Sequence, residues 1–328
     1  MTVTRAAWLR QAVEVCLVVL LPAAIISAIA TDLGIYVWTT VVIYIIFAMG
    51  TNVLVGWSGA TSFGQAAYFG TGAYAVALLR ERELPNEVLL VLAVLASAVV
   101  ALTLGILTLR AVGLRFGIIT LVFGQLIYLV VFRNDGLGSE TGLYPVARST
   151  VLGQDVSDQR TFFWVVVSVL TIVAFVLRRM YQSSFGLTLA AMRDDPLRTV
   201  ALGLPIRWLR LISFVLAGAV AGLAGGLFAQ QQGSASPSML SFALSGHIIL
   251  ICLLGGRFRF WGAAAGAIVF TWAEYHLRSL TDATDLYLGA LLLVIVIAMP
   301  DGLAKLWDLT TVALRSRSRT SDRDEVSV

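Results

Sequence analysis

Few residues in this sequence are of a kind that does covalent or proton chemistry, and their positions argue against it. Cys16 and Cys252 both lie in apolar runs, where they fit as small core residues better than as a disulfide or a thiolate metal site. His247 and His276 are the only histidines, too few for a histidine metal cluster. Lys305 is the only lysine, and the surrounding DGLAK does not fit G-x-x-x-x-G-K-[ST], so the chain has no phosphate loop of its own. No apolar segment carries an acid, lysine or arginine near its centre, the groups that proton relays and voltage sensors use. No Ser/His/Asp or Cys/His constellation is present. The chain is not expected to be an enzyme. Sodium coupling through backbone carbonyls stays open, and the chemistry that remains is non-covalent.

The groups able to hold a polar solute concentrate in GWSGATSFGQAAYFGTGAY, from Gly56 to Tyr74. Five glycines there are interleaved with Ser58, Thr61, Ser62 and Gln65. Each glycine destabilises a continuous helix by about 1 kcal/mol. A break rich in glycine and hydroxyls suits a watery cavity lined by freed amides; the same glycines equally suit close helix packing. Thr120 and Gln125 are the candidates on a facing span. Gly218, Gly222 and Gly226 recur four apart with Gly225 beside them, and Gly262 and Gly266 repeat the spacing. Small residues four apart make a helix–helix seam. Gln230, Gln231 and Gln232 are expected at an outer mouth.

These residues must be positioned by membrane helices. The mean hydropathy is +0.88, and 13% of residues are charged, against about 25% in soluble chains. The fold class is all-α, a polytopic membrane protein, because backbone groups in lipid must pair within their own segment. About ten spans are expected, at 13–30, 36–55, 64–79, 87–109, 116–132, 161–177, 209–230, 241–256, 261–278 and 285–303. Segments 64–79 and 241–256 are short enough to be re-entrant or broken. The first run, with Arg5 and Arg10 before it and SAIA at its end, has the outline of a signal peptide, but its length and the many runs after it favour an uncleaved span. With the N-terminus placed in the cytoplasm, seventeen of the 23 basic residues fall inside and six outside: Arg80, Arg82, Arg133, Arg148, Arg160 and Arg278. That bias sets both termini inside. The domains are then a cytoplasmic N-terminus (1–12), a membrane domain (13–308) and a basic, lipid-facing tail (309–328).

One basic stretch, 181–207, interrupts the apolar pattern on the inner side. Ser184 is expected to cap a short helix. Asp195 is expected to cap a second, with Pro196 at its first position. Leu197, Val200, Ala201 and Leu204 make one apolar face, while Arg193, Asp194, Arg198 and Thr199 stay polar, with an Asp194–Arg198 pair. Gly203 ends the turn and Pro205 stops it. Such a helix lies on lipid or docks in a partner's groove.

Four motifs together resemble the LivM-type permeases of branched-chain amino acid ABC importers: the glycine-broken segment above, RFGIITLVFGQL, SSFGLTLAAMRDDPLRTVALGL, and the late LLGG…WGAAAGA. The resemblance implies a permease in a bacterial inner membrane that forms half of a translocation path. It implies a second, LivH-type permease, two cytoplasmic LivG/LivF-type ATPases holding the ATP and magnesium, and an extracytoplasmic solute-binding protein. No cofactor on this chain and no nucleic-acid partner are expected. It makes 181–207 the coupling loop, with Arg193, Asp194, Asp195, Pro196, Arg198, Ala201 and Gly203 at the ATPase. The chain departs from the family at Gln65, where His is frequent, at Ala60, where Gln is, and at RFRF after Gly256. The alternatives are a urea or short-amide permease of the same family, a stand-alone ion-coupled carrier, and a non-transporting scaffold.

Overall fold

The computed structural model describes residues 2–79, 82, 84–108, 110–146, 148, 150, 156–256, 258–280, 287, 289 and 290. Only three positions of the expected tenth segment, 285–303, are among them, and the expected tail, 309–328, lies outside the described residues. In chain order the helices are α1 (Thr2–Ile29), α2 (Asp32–Asn52), α3 (Gln65–Leu78), α4 (Asn86–Thr108), α5 (Leu114–Phe132), α6 (Gln159–Tyr181), α7 (Ser184–Asp194), α8 (Pro196–Ala201), α9 (Ile206–Gln232), α10 (Phe242–Gly255) and α11 (Gly262–Leu280). A π-helical turn, Val53–Trp57, continues α2. No strand forms among the described residues; Leu143 and Ala235 make one isolated antiparallel bridge.

Local chemistry fixes several helix starts. Thr31 Oγ1 accepts from Gly34 N at the head of α2, Asp158 Oδ2 from Arg160 and Thr161 N at α6, and Ser241 Oγ from Leu244 N at α10. Each side chain satisfies a donor that the helix leaves orphaned. Among the described residues, six helical segments are long and apolar enough to cross a membrane: 11–29, Asp32–Trp57, α4, α5, α6 and α9. Helices α3 and α10 have 14 residues each, about 21 Å at 1.5 Å per residue, which falls short of a hydrocarbon core of about 30 Å.

Helix α9 runs through the middle of the bundle, against α2, α3 and α4. Missing side chains allow this closeness. A Cβ placed on Gly72 of α3 would lie 2.0 Å from the Gly222 carbonyl oxygen, and one on Gly225 would lie 1.8 Å from that of Phe69. On the α4 side, Cβ atoms on Gly222 and Gly218 would meet Ser97 Oγ at 2.0 Å and Ala101 Cβ at 2.4 Å. The α10–α11 crossing is built alike: a Cβ on Gly266 would lie 2.1 Å from Ile251 O, and one on Gly262 2.2 Å from Gly256 O. Gly226 has more room, its nearest neighbour being Val76 Cγ2 at 3.1 Å.

Separate polar networks mark the two ends of the bundle. At one end Arg178 on α6 pairs with Glu14 on α1 at 3.0 Å, and Trp261 Nε1 donates to the same carboxylate at 3.2 Å. Arg210 donates to Ala111 O there. At the other end Gln230 bonds Asn86 at the head of α4, Tyr36 donates to Gln232, and Gln231 donates to Tyr36 O and Thr40 Oγ1. Arg148 joins that end through Gln230 O, Ser157 O and Gln159 Oε1. Its guanidinium sits 4.6 Å from the Phe162 ring centroid. Burial holds its pKa below the usual arginine value. Cys252 is buried as expected, but Cys16 is exposed on the outer face of α1. Helix α1 packs chiefly on α6 and leaves that face uncovered.

Candidate functional site

A cavity of about 920 Å³ opens at the end of the bundle that carries α7 and α8. One wall is the glycine-broken stretch from Ser58 to Phe63; the opposite wall is the α7–α8 junction, with Met192, Arg193, Asp194 and Pro196. The start of α5, Arg210 and Phe258 complete it. The π-helical turn makes the first wall. Ser58 N bonds Val53 O and Ala60 N bonds Leu54 O, so the ordinary ladder has already widened. Gly59, at φ +70°, then turns the chain out of the helix, a conformation cheap only for glycine.

The solute candidates divide by position. Ser58 and Thr61 line the cavity, with Ser58 Oγ donating to Leu54 O at 2.7 Å. Ser62, Gln65 and Thr120 are buried behind that wall. Thr120 Oγ1 accepts from Phe63 N and donates to Gly117 O, so it fastens the loop to α5. Gln65 is fully buried, and neither atom of its amide has a partner. Gln125 is half-buried on α5 and outside the cavity lining. Ser245 of α10, absent from the sequence-based candidates, accepts from Ala66 N at 2.9 Å and so caps the first turn of α3. Nothing in its local pattern marks it, because the contact spans 179 residues.

The opposite wall differs from expectation in three ways. The α7 cap position is Ser183, not Ser184, and Ser183 Oγ donates back to Met180 O. The chain bends one residue earlier than the cap pattern suggests. Asp194 does not reach Arg198. Asp195 is extended at φ −149°, which breaks the helical i,i+4 spacing, so Arg193 pairs with Asp194 at 2.8 Å and Arg198 with Asp195 at 3.0 Å. Thr199 is buried at 2% exposure, not left on the polar face. Its hydroxyl donates to Asp195 O.

Helix α8 otherwise follows its sequence signals. Asp195 Oδ1 accepts from Arg198 N at 3.0 Å, and Pro196 takes the first position. Gly203, at φ +77°, closes the helix, with Gly203 N bonding Val200 O and Leu204 N bonding Thr199 O, the paired bonds of a left-handed cap. With Thr199 turned inward, Leu197 (83% exposed), Val200 and Leu202 point away from the bundle. The Arg193 hydrogen bond holds the Asp194 carboxyl below the usual carboxylate range.

Among the described residues, six helices long and apolar enough to cross a membrane define a multi-pass membrane protein. Residues 33–299 match the profile of the family described as branched-chain amino acid transport system, permease component, and the chain belongs to that family. It is 30% identical over 290 residues to the high-affinity branched-chain amino acid transport permease LivM of Escherichia coli strain K12, covering 81% of this chain and 68% of that one. The Salmonella typhimurium LivM gives the same identity and coverage. A probable LivH permease of Methanocaldococcus jannaschii is 31% identical over 140 residues, 40% of this chain and 42% of its own. No solved structure matches.

Proposed function

We propose that this chain is one of two permease subunits of a bacterial inner-membrane ABC importer for branched-chain or related amino acids. In this reading the cavity beside Ser58 and Thr61 belongs to the path, and α8 receives a cytoplasmic ATPase. The second permease is of the LivH type, the ATPases are of the LivG/LivF type and hold ATP and magnesium, and an extracytoplasmic protein delivers the solute. The solute class rests on the names of the relatives. A volume of about 920 Å³ is ample for an amino acid, since small-molecule sites run from about 300 to 1,000 Å³.

The observation that carries the reading is the shared cavity. A wall of glycine-broken chain faces a wall built from the α7–α8 junction, while Leu197, Val200 and Leu202 on the outer side of α8 are exposed among the described residues. A partner that moves α8 therefore moves one wall of a solute-sized space. The charge distribution supports the orientation. Arg110, Arg115, Arg178, Arg179, Arg193, Arg198, Arg207 and Arg210 fall at the helix ends on the α8 side, which the positive-inside rule places in the cytoplasm.

The test is uptake by proteoliposomes that hold the chain with a second permease, two ATPases and a binding protein from the same genome. Leucine, isoleucine or valine should enter only with ATP on the ATPase side and only with every component present. Urea in their place would make it the amide permease. Ion-driven uptake by the chain alone would make it a carrier and overturn the importer reading.

A further inference from the structure

At the end of α7, Arg193 turns away from the exposed side of α8 and into the bundle, where only 22% of its side chain is exposed. Its Nη1 donates to Gly56 O at 2.9 Å. Its Nε donates to Asp194 Oδ1 at 2.8 Å. Its guanidinium carbon lies 4.6 Å from the centroid of the Phe258 ring. One planar group thus joins three segments: the π-helical end of α2, the α7–α8 junction and the α10–α11 loop. Gly56 O is one of the last carbonyls of the α2 helix, which no following amide completes. A cation there satisfies an orphan acceptor and meets the negative end of the helix dipole.

Two further details make the fit specific. A Cβ on Gly59 would lie 2.7 Å from Arg193 Cγ, so the arginine stem runs against the residue that turns the chain out of α2. The platform under the guanidinium is Phe258 from RFRF, the stretch in which this chain departs from its family pattern. Phe260 from the same stretch packs with Trp57 and Tyr181, and Tyr181 donates to Phe258 O. The loop that looked anomalous in sequence supports both the arginine and the end of the π-helical turn.

We propose that Arg193 is the positioning residue that transmits displacement of α8 to the glycine-broken wall of the cavity. Resting on the importer reading, it places Arg193 inside the bundle as the link, and not at the ATPase surface. Asp195 caps α8 two residues further on, so α8 and the latch share one short hinge. If α8 is drawn outward, Arg193 pulls on Gly56 and the Ser58–Thr61 wall moves with it. Without the guanidinium, α8 still docks, but its motion no longer reaches the cavity. Lysine cannot substitute fully, because it lacks the planar fork that bonds Gly56 and Asp194 together while stacking on Phe258.

The experiment uses the whole complex in proteoliposomes and reads solute taken up per ATP hydrolysed. Arg193→Ala should lower that ratio at least tenfold, with Arg193→Lys between it and the parent. A purely structural role would lower uptake and hydrolysis together and leave the ratio unchanged; that result overturns the proposal, as does a parental ratio in the alanine variant. Where the alanine variant does not assemble, Arg193→Lys alone decides, and a parental ratio there is also contrary. Failure of the importer reading is distinguishable, since the parent complex would then show no ATP-driven uptake at all.

Discussion

Gly225 and Gly246 carry the same side chain in helices of the same bundle, yet their surroundings are opposite. A Cβ on Gly225 would sit 1.8 Å from the Phe69 carbonyl oxygen, and backbone cannot step aside as a flexible side chain would; a Cβ on Gly246 meets nothing within 4 Å. Gly225→Ala should therefore force α9 away from α3 and lower stability by about 1–3 kcal/mol, the usual range for overpacking. Gly246→Ala should be neutral or raise stability by about 0.4–1 kcal/mol by restricting the unfolded chain. Thermal unfolding of the purified chain in detergent checks both, and equal melting temperatures would contradict the seam. The four-residue spacing of Gly218, Gly222 and Gly226 was legible in sequence, because it depends only on the period of one helix. The close approaches of α3 to α9, at Gly225 and Gly72, were not: they depend on where α3 crosses α9. The same limit hid Ser245, the Glu14–Arg178 pair and the inward course of Arg193, all contacts between residues far apart in the chain.

Helix α8 shows what local signals can and cannot specify. Asp195, Pro196 and Gly203 each act within four residues of themselves, so the start and stop of α8 were readable. Which face turns inward was not, since burial of Thr199 depends on α8 resting against the rest of the bundle, and the expected Asp194–Arg198 pair failed on a break that the Asp195 backbone imposes. Ala201 lies exposed on α8. If α8 enters an ATPase groove, Ala201→Glu puts an unpaired charge into that contact, which costs several kcal/mol. Stimulation of ATP hydrolysis by solute-loaded binding protein should then be lost, and uptake with it. Gly203→Val should act in the same direction more weakly. A β-branched residue at φ +77° is strained by roughly 1–2 kcal/mol, with nothing within 4 Å of its Cβ to add a clash. Parental uptake and stimulated hydrolysis in Ala201→Glu would reduce α8 to a helix lying on lipid.

For the whole molecule, hydropathy was enough to identify an all-helical membrane protein, and the motifs were enough to identify its family. The cavity was legible only in part. Ser58 and Thr61 line it, Ser62, Gln65 and Thr120 stand behind it, and Gln125 is elsewhere on α5. Polarity in an apolar chain marks a residue as consequential without saying whether it faces a solute or fastens a loop. Thr120 illustrates the second case. The central claim is that the cavity is part of the solute path, and Thr61 tests it most directly. In the assembled complex, with Cys16 and Cys252 replaced by alanine and Thr61 by cysteine, a membrane-impermeant thiol reagent should label position 61 from the ATPase side. Saturating leucine should slow that labelling, because solute and reagent compete for one space. Labelling from the ATPase side at the same rate with and without leucine, in a complex that still imports it, would contradict the claim.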